Sequence, residues 1–62
     1  MNEKLRKEVK LLKALQGISY TEMAEYLEIK KNSFYNWIHG DYNLSEEKQR
    51  QLNDIITNLK EV

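Results

Sequence analysis

The chain has 62 residues, no cysteine, no proline, one histidine and a formal net charge of zero. This length allows one small domain, and a domain of about 60 residues buries only about 60% of the surface that its unfolded chain exposes. Disulfide bonds and a structural zinc site are excluded. No apolar run reaches the length of about 18 residues that a transmembrane helix needs. The charge-rich residues 1–16 lack the apolar segment of a secretory signal. We therefore expect a cytoplasmic protein that does not enter a membrane.

Apolar residues recur at helical spacing along the chain, and no stretch sustains the alternation of a β-strand. The sequence predicts an all-α domain of four helices, or five with a short extra turn. The first helix is predicted to run from Asn2 or Glu3 to Leu15, with Asn2 as its N-cap and Gly17 after its end. Its buried stripe is predicted at Leu5, Val9, Leu12, Leu11 and Leu15, and Arg6 joins the lysines on the solvent face.

The second helix has the clearest local signal, a capping box in which Ser19 accepts from the amide of Glu22. It is predicted to end near Leu27, and the turn Glu28-Ile29-Lys30 leads into a third helix from Lys31 to His39. The core side of that helix is predicted at Phe34, Trp37 and Ile38. Ser45 caps a fourth helix predicted over 46–60.

These features together form a recognisable pattern: Ile18, Ser19 as the cap of a short helix, Ala24 inside that helix, Ile29 in a three-residue turn, and a helix ending in Trp-x-x-Gly. The pattern resembles the Cro and phage-repressor (lambda-repressor-like) helix-turn-helix family over roughly Leu5 to Leu59. The resemblance implies a single domain over 1–62, with a helix-turn-helix core at 18–40 and a C-terminal helix at 45–60. It further implies that helix three enters the major groove of double-stranded DNA.

Particular side chains acquire roles from this resemblance. A lysine pairs with the acceptors of guanine and an asparagine with adenine, so base contacts are expected near the start of helix three. The expected base-contacting residues are Lys31, Asn32, Tyr35, Ser33 and Asn36. The expected phosphate-contacting residues are Tyr20, Lys30, His39, Tyr42 and Asn43. Glu28 stands where the family often has glycine, which predicts a non-glycine residue in a strained turn conformation.

A homodimer is expected on a palindromic operator, with its recognition helices about 34 Å apart. The apolar stripe of helix four is predicted to be buried, and the expected dimer interface comprises whichever of its residues the monomer core leaves exposed: Leu52, Ile55, Ile56, Leu59 and Val62. The expected function is a sequence-specific transcriptional regulator of the phage or mobile-element repressor type. No catalytic triad, carboxylate pair or glycine-rich phosphate loop is apparent, so we expect no enzyme activity, cofactor, metal or small-molecule ligand.

A protein-interaction module on the same scaffold is the alternative. The net charge of zero and the four tyrosines favour it, because phosphate contacts dominate DNA affinity and tyrosine is enriched at protein interfaces. Such a module would be the N-terminal domain of a phage inhibitor of host defence that also represses its own promoter, or an antitoxin. The lysines of helix one are interpreted as an ordinary solvent-exposed face with no binding role.

Overall fold

The computed structural model describes residues 1–60, which form four α-helices and no strand. They are α1 (Asn2–Gln16), α2 (Tyr20–Leu27), α3 (Lys31–Ile38) and α4 (Glu46–Lys60). The predicted all-α class is confirmed, and no fifth helix forms within these 60 residues. None of the helices in this part of the chain is long and apolar enough to cross a membrane.

The core gathers one face of each helix. α2 packs mainly against α3, and α4 lies against both α1 and α2. Ala24 is buried on α2, and its small side chain takes little room in the core. The remaining buried apolar residues are Leu5, Val9, Leu12, Met23, Leu27, Phe34, Trp37, Ile38, Leu44, Leu52 and Ile56. The predicted core side of the third helix is therefore confirmed.

α1 departs from its prediction in its buried stripe. Leu11 and Leu15 were expected to widen that stripe, but they are 53% and 73% exposed. Leu11 lies about 100° around the helix from Leu12, on the flank of the side that α4 covers. The other helices of residues 1–60 leave that flank uncovered, so both leucines face solvent.

Asn2 does not cap α1, because the N-cap residue is Met1. The Oδ1 atom of Asn2 instead accepts two hydrogen bonds of 2.9 Å each, from Trp37 Nε1 and from the backbone N–H of Leu44. The buried indole and the amide of a buried loop residue are thereby both satisfied. The second residue of the chain thus ties the end of α3 to the approach to α4.

Arg6 is also placed differently from the expectation, since it is buried rather than on the solvent face. Its Nε donates to the carbonyl oxygen of Trp37. Its Nη2 donates to the carbonyl oxygen of Tyr42 at 2.7 Å and to Asn43 Oδ1 at 3.1 Å, and its Nη1 pairs with Glu3 at 2.6 Å. One guanidinium therefore fixes the course of the loop that follows α3.

The connection between α2 and α3 turns sharply at Glu28, which adopts a left-handed conformation with φ 59° and ψ 41°. Its backbone N–H donates to the carbonyl oxygen of Glu25, and that of Ile29 donates to Ala24. Ile29 is half-buried against the core. The capping of α2 is also as predicted, with the amide of Glu22 donating to Ser19 Oγ at 3.1 Å. The strained turn expected at Glu28 is therefore present.

Replacing Arg6 with alanine removes the donors of at least three buried or half-buried acceptors. We expect a loss of about 3 kcal/mol in the free energy of unfolding, a large share of the roughly 3–9 kcal/mol typical for a domain of this size. Thermal and urea denaturation measure it. Lys7→Ala, a neighbouring exposed position, serves as the control and should change stability by less than about 0.5 kcal/mol. Equal stability of both variants would contradict this role for Arg6.

Replacing Glu28 with glycine relieves the left-handed backbone. A non-glycine residue costs roughly 1–2 kcal/mol there, part of which the greater freedom of glycine in the unfolded chain offsets, so we expect a gain of about 0.5–1 kcal/mol. Gly17→Ala is the reciprocal variant. Gly17 has φ 70°, and an added Cβ would meet no atom within 4 Å. The left-handed backbone conformation alone should therefore make alanine at this position lower the free energy of unfolding by about 1 kcal/mol. Shifts of the same sign in urea denaturation would argue against this assignment of strain.

Candidate nucleic-acid interface

The side chains expected to contact bases lie on the part of α3 that the core leaves uncovered. Phe34, Trp37 and Ile38 take the inner side of this helix. Lys31, Asn32 and Asn36 are exposed, and Ser33 and Tyr35 are half-buried. The helix begins directly after Lys30, which is extended; its ammonium group is a donor only, so the first-turn amides of α3 have no side-chain cap from it.

Tyr20 links α2 to this surface. Its ring lies 5.9 Å from that of Phe34 and 5.6 Å from that of Tyr35, the latter edge to face. Lys31 Nζ lies 5.9 Å from the centre of the Tyr35 ring. These contacts hold Tyr20 between the core and the outer surface of α3, with its ring half-buried.

Lys13 joins the same group from α1, with its Nζ 4.9 Å from the centre of the Tyr20 ring. A cation over an aromatic ring is worth about 0.5–1 kcal/mol at an exposed site. We call Lys13, Tyr20, Lys31 and Tyr35 the lysine–tyrosine cluster. The sequence pattern assigned Lys13 to a solvated face. The missing signal was its position in the last turn of α1, four residues before the chain bends at Gly17 to bring Tyr20 beside it.

The cluster is positive, since two lysines contribute to it and no carboxylate does. The nearest acidic residues along α2 are Glu22 and Glu25. They are two and five residues beyond Tyr20, which corresponds to about 200° and 140° around the helix. Both therefore lie on other sides of α2. The cluster itself therefore carries two positive charges, although the net charge of the chain is zero.

The residues after α3 lie beyond the C-terminal end of that helix, against the start of α1. His39 is exposed, and Tyr42 is partly exposed. Asn43 is exposed, but its Oδ1 is occupied by Arg6, so its amide nitrogen is the group left to donate. Arg6 also holds the Tyr42 carbonyl. The buried guanidinium thus fixes the backbone of Tyr42 and the side chain of Asn43, two of the residues expected to contact phosphate.

The expected dimer interface on α4 needs correction. Leu52 and Ile56 are fully buried within the chain, where they pack in the core with α1 and α2, so they offer nothing to a second copy. Ile55 and Leu59 are partly buried, and Val62 lies outside the described residues. The outward side of α4 carries polar residues: Asn53, Asp54, Thr57 and Asn58. The helical stripe that suggested an interface is the core side of α4.

Comparisons with known proteins return no match to this chain among protein-family models, curated proteins or solved structures.

Replacing Tyr20 with alanine tests whether the cluster is held by aromatic packing. The ring packs on the core through Phe34, so we expect Tyr20→Ala to lower the free energy of unfolding by about 1–2 kcal/mol. Tyr20→Phe keeps the ring and should stay within about 0.5 kcal/mol of wild type in chemical denaturation. Equal losses in both variants would mean that the hydroxyl, not the ring, is what matters.

Proposed function

We propose that this domain is a lambda-repressor-like helix-turn-helix protein that binds double-stranded DNA and regulates transcription from the cytoplasm. The observation that carries the proposal is the lysine–tyrosine cluster, which adjoins the uncovered side of α3. A short helix with polar residues at its start, flanked by Lys13 from α1 and Lys30 from the preceding turn, has the features of a major-groove reader.

Lys31 and Asn32 are the proposed base-contacting residues, with Tyr35 one turn further along α3. Ser33 and Asn36 contact bases or the adjoining backbone. α3 has eight residues and a length of about 12 Å. A major groove about 12 Å wide admits a helix of this kind.

Phosphate contacts are assigned to the residues around α3. Lys13 and Lys30 supply positive charge, Tyr20 supplies its hydroxyl, and His39 and the Asn43 amide donate beyond the end of the helix. With so few charged contacts, the affinity should fall only gently with salt, by about 0.9 log units per contact for each tenfold rise in salt concentration. Recognition then depends strongly on base contacts and on association between copies.

Selection of bound sites from a random DNA library is the primary test. Enrichment of a defined half-site, followed by titration of that duplex at low and moderate salt, is the expected result. Absence of binding to any duplex even at low salt would contradict the proposal.

Lysine substitutions separate base contacts from phosphate contacts. We expect Lys31→Ala to lower the affinity for the selected site by about 1–3 kcal/mol while affinity for a scrambled duplex changes little. Lys30→Ala should weaken both duplexes equally and reduce the salt slope by about one. Fluorescence anisotropy measures both variants on both duplexes. A scrambled duplex that loses as much affinity as the selected site in Lys31→Ala would remove the base-reading role.

Lys13→Ala tests the contribution of α1. Lys13 is exposed and held over Tyr20, so its loss should weaken selected and scrambled duplexes alike, with a smaller salt slope. Lys10→Ala, three residues earlier on the same helix and also exposed, serves as the matched control. Equal effects of the two substitutions would show that α1 contributes only general positive charge.

A protein-interaction module, such as an antitoxin or a phage inhibitor of host defence, is the second candidate function. Tyr26, Leu11 and Leu15 are each more than half exposed, and they lie outside the surface assigned to DNA. A defined protein partner combined with failure of the DNA selection would favour this candidate.

A further inference from the structure

One outward side of α1 is left uncovered and has a particular chemistry. Lys4, Lys7, Leu11 and Leu15 follow one another at steps of three and four residues, so they share one face of the helix. All four are exposed. Neither lysine forms an ion pair or side-chain hydrogen bond within residues 1–60. We call this set the α1 outer face: its first half is cationic and its second half is apolar.

A groove between α2 and α4 has the opposite character. It has a volume of about 360 Å³ and is lined by Tyr26, Glu28, Gln51, Asp54 and Ile55. Two carboxylates line it, and the ammonium of Lys48 lies at its edge, where it donates to the carbonyl oxygen of Leu27 at 2.9 Å and to Gln51 Oε1 at 3.4 Å. One negative charge is therefore left in excess. Tyr26 is 60% exposed beside the half-buried Ile55, so an aromatic ring and an aliphatic side chain form its apolar part. We call it the α2–α4 groove.

We propose that the α1 outer face of one copy docks into the α2–α4 groove of a second copy of this chain. Leu11 and Leu15 cover Tyr26 and Ile55, which removes apolar surface of both copies from water. Lys4 and Lys7 meet Glu28 and Asp54, and complementary charges of this kind fix the register of a contact. A second copy is the occupant because the chain itself carries both halves of the match.

The contact joins two different surfaces, so it is heterologous. Each added copy leaves one free surface of each kind at the ends of the assembly, and association continues unless the copies close into a ring. It also leaves the lysine–tyrosine cluster free. Lys13 is two residues from both Leu11 and Leu15, about 200° around α1, and Tyr26 is six residues beyond Tyr20, about 240° around α2. On DNA, successive copies would therefore occupy half-sites in direct rather than inverted repeat. That last consequence rests on the proposed function, whereas the association itself does not.

Analytical ultracentrifugation of the full chain, without DNA and at low salt, tests the contact. From micromolar to millimolar concentration, the average mass of the wild type should grow past that of two copies. The double variant Lys4→Glu/Lys7→Glu and the double variant Glu28→Lys/Asp54→Lys should each associate at least about tenfold more weakly, because like charges then face each other. Mixing the two variants should restore association, since the first keeps an intact groove and the second an intact α1 outer face.

Arg50→Glu is the matched control, because Arg50 is an exposed basic residue whose partner is Glu46 on the same helix; it should associate as the wild type does. Circular dichroism establishes that every variant is folded. A wild type that stays monomeric to millimolar concentration, a mass that levels off at two copies, or variants that associate like wild type would each overturn the proposal. Binding of the same variants to a single selected half-site tests the DNA-binding function separately, and it should be unchanged in the Glu28→Lys/Asp54→Lys variant or slightly stronger.

Discussion

The arrangement of this domain depends on one buried cation. The apolar core gathers α1, α2, α3 and α4, but it leaves the residues after α3 with few apolar side chains to hold them. The Arg6 guanidinium supplies what the core lacks, because its planar set of donors satisfies carbonyl oxygens at the end of α3 and in the following loop. A buried charge is stable only when paired and hydrogen-bonded, and Arg6 meets both conditions through Glu3 and the backbone. The loop that follows the candidate DNA-binding helix is thus positioned by a side chain of α1.

Local signals in the sequence predicted the helices well. Capping by Ser19 and the inner side of α3 depend on neighbouring residues, so they could be derived without knowledge of the packing. The left-handed turn at Glu28 was instead expected from the resemblance to a family that often has glycine there. The roles of Asn2 and Arg6 could not be derived, since their partners lie more than 30 residues away. An asparagine before a helix predicts an N-cap, and an arginine among lysines predicts a solvated face. Both predictions failed because a distant backbone competed for the same side chains.

Helical periodicity also has a limit that α1 and α4 illustrate. It identifies apolar positions on a helix but not which of them the rest of a small domain covers. Leu52 and Ile56 lie on a predicted apolar stripe that could serve either the core or an interface, and they are core, whereas Leu11 and Leu15 were expected in the core and are exposed. Likewise, the candidate DNA surface could be assigned on α3 from the pattern, but the addition of Lys13 required the fold, because α1 reaches Tyr20 only after the chain bends at Gly17.

The hydrogen bond between Trp37 and Asn2 also gives the domain a built-in optical reporter. Trp37 is the single tryptophan of the sequence, is fully buried, and donates its indole N–H to the second residue of the chain. Its emission therefore senses whether the first helix has closed over the end of α3. Formation of α2 and α3 alone would leave that indole without its partner. If docking of α1 onto α3 were the slow step of folding, the tryptophan emission would therefore change later than the circular dichroism signal.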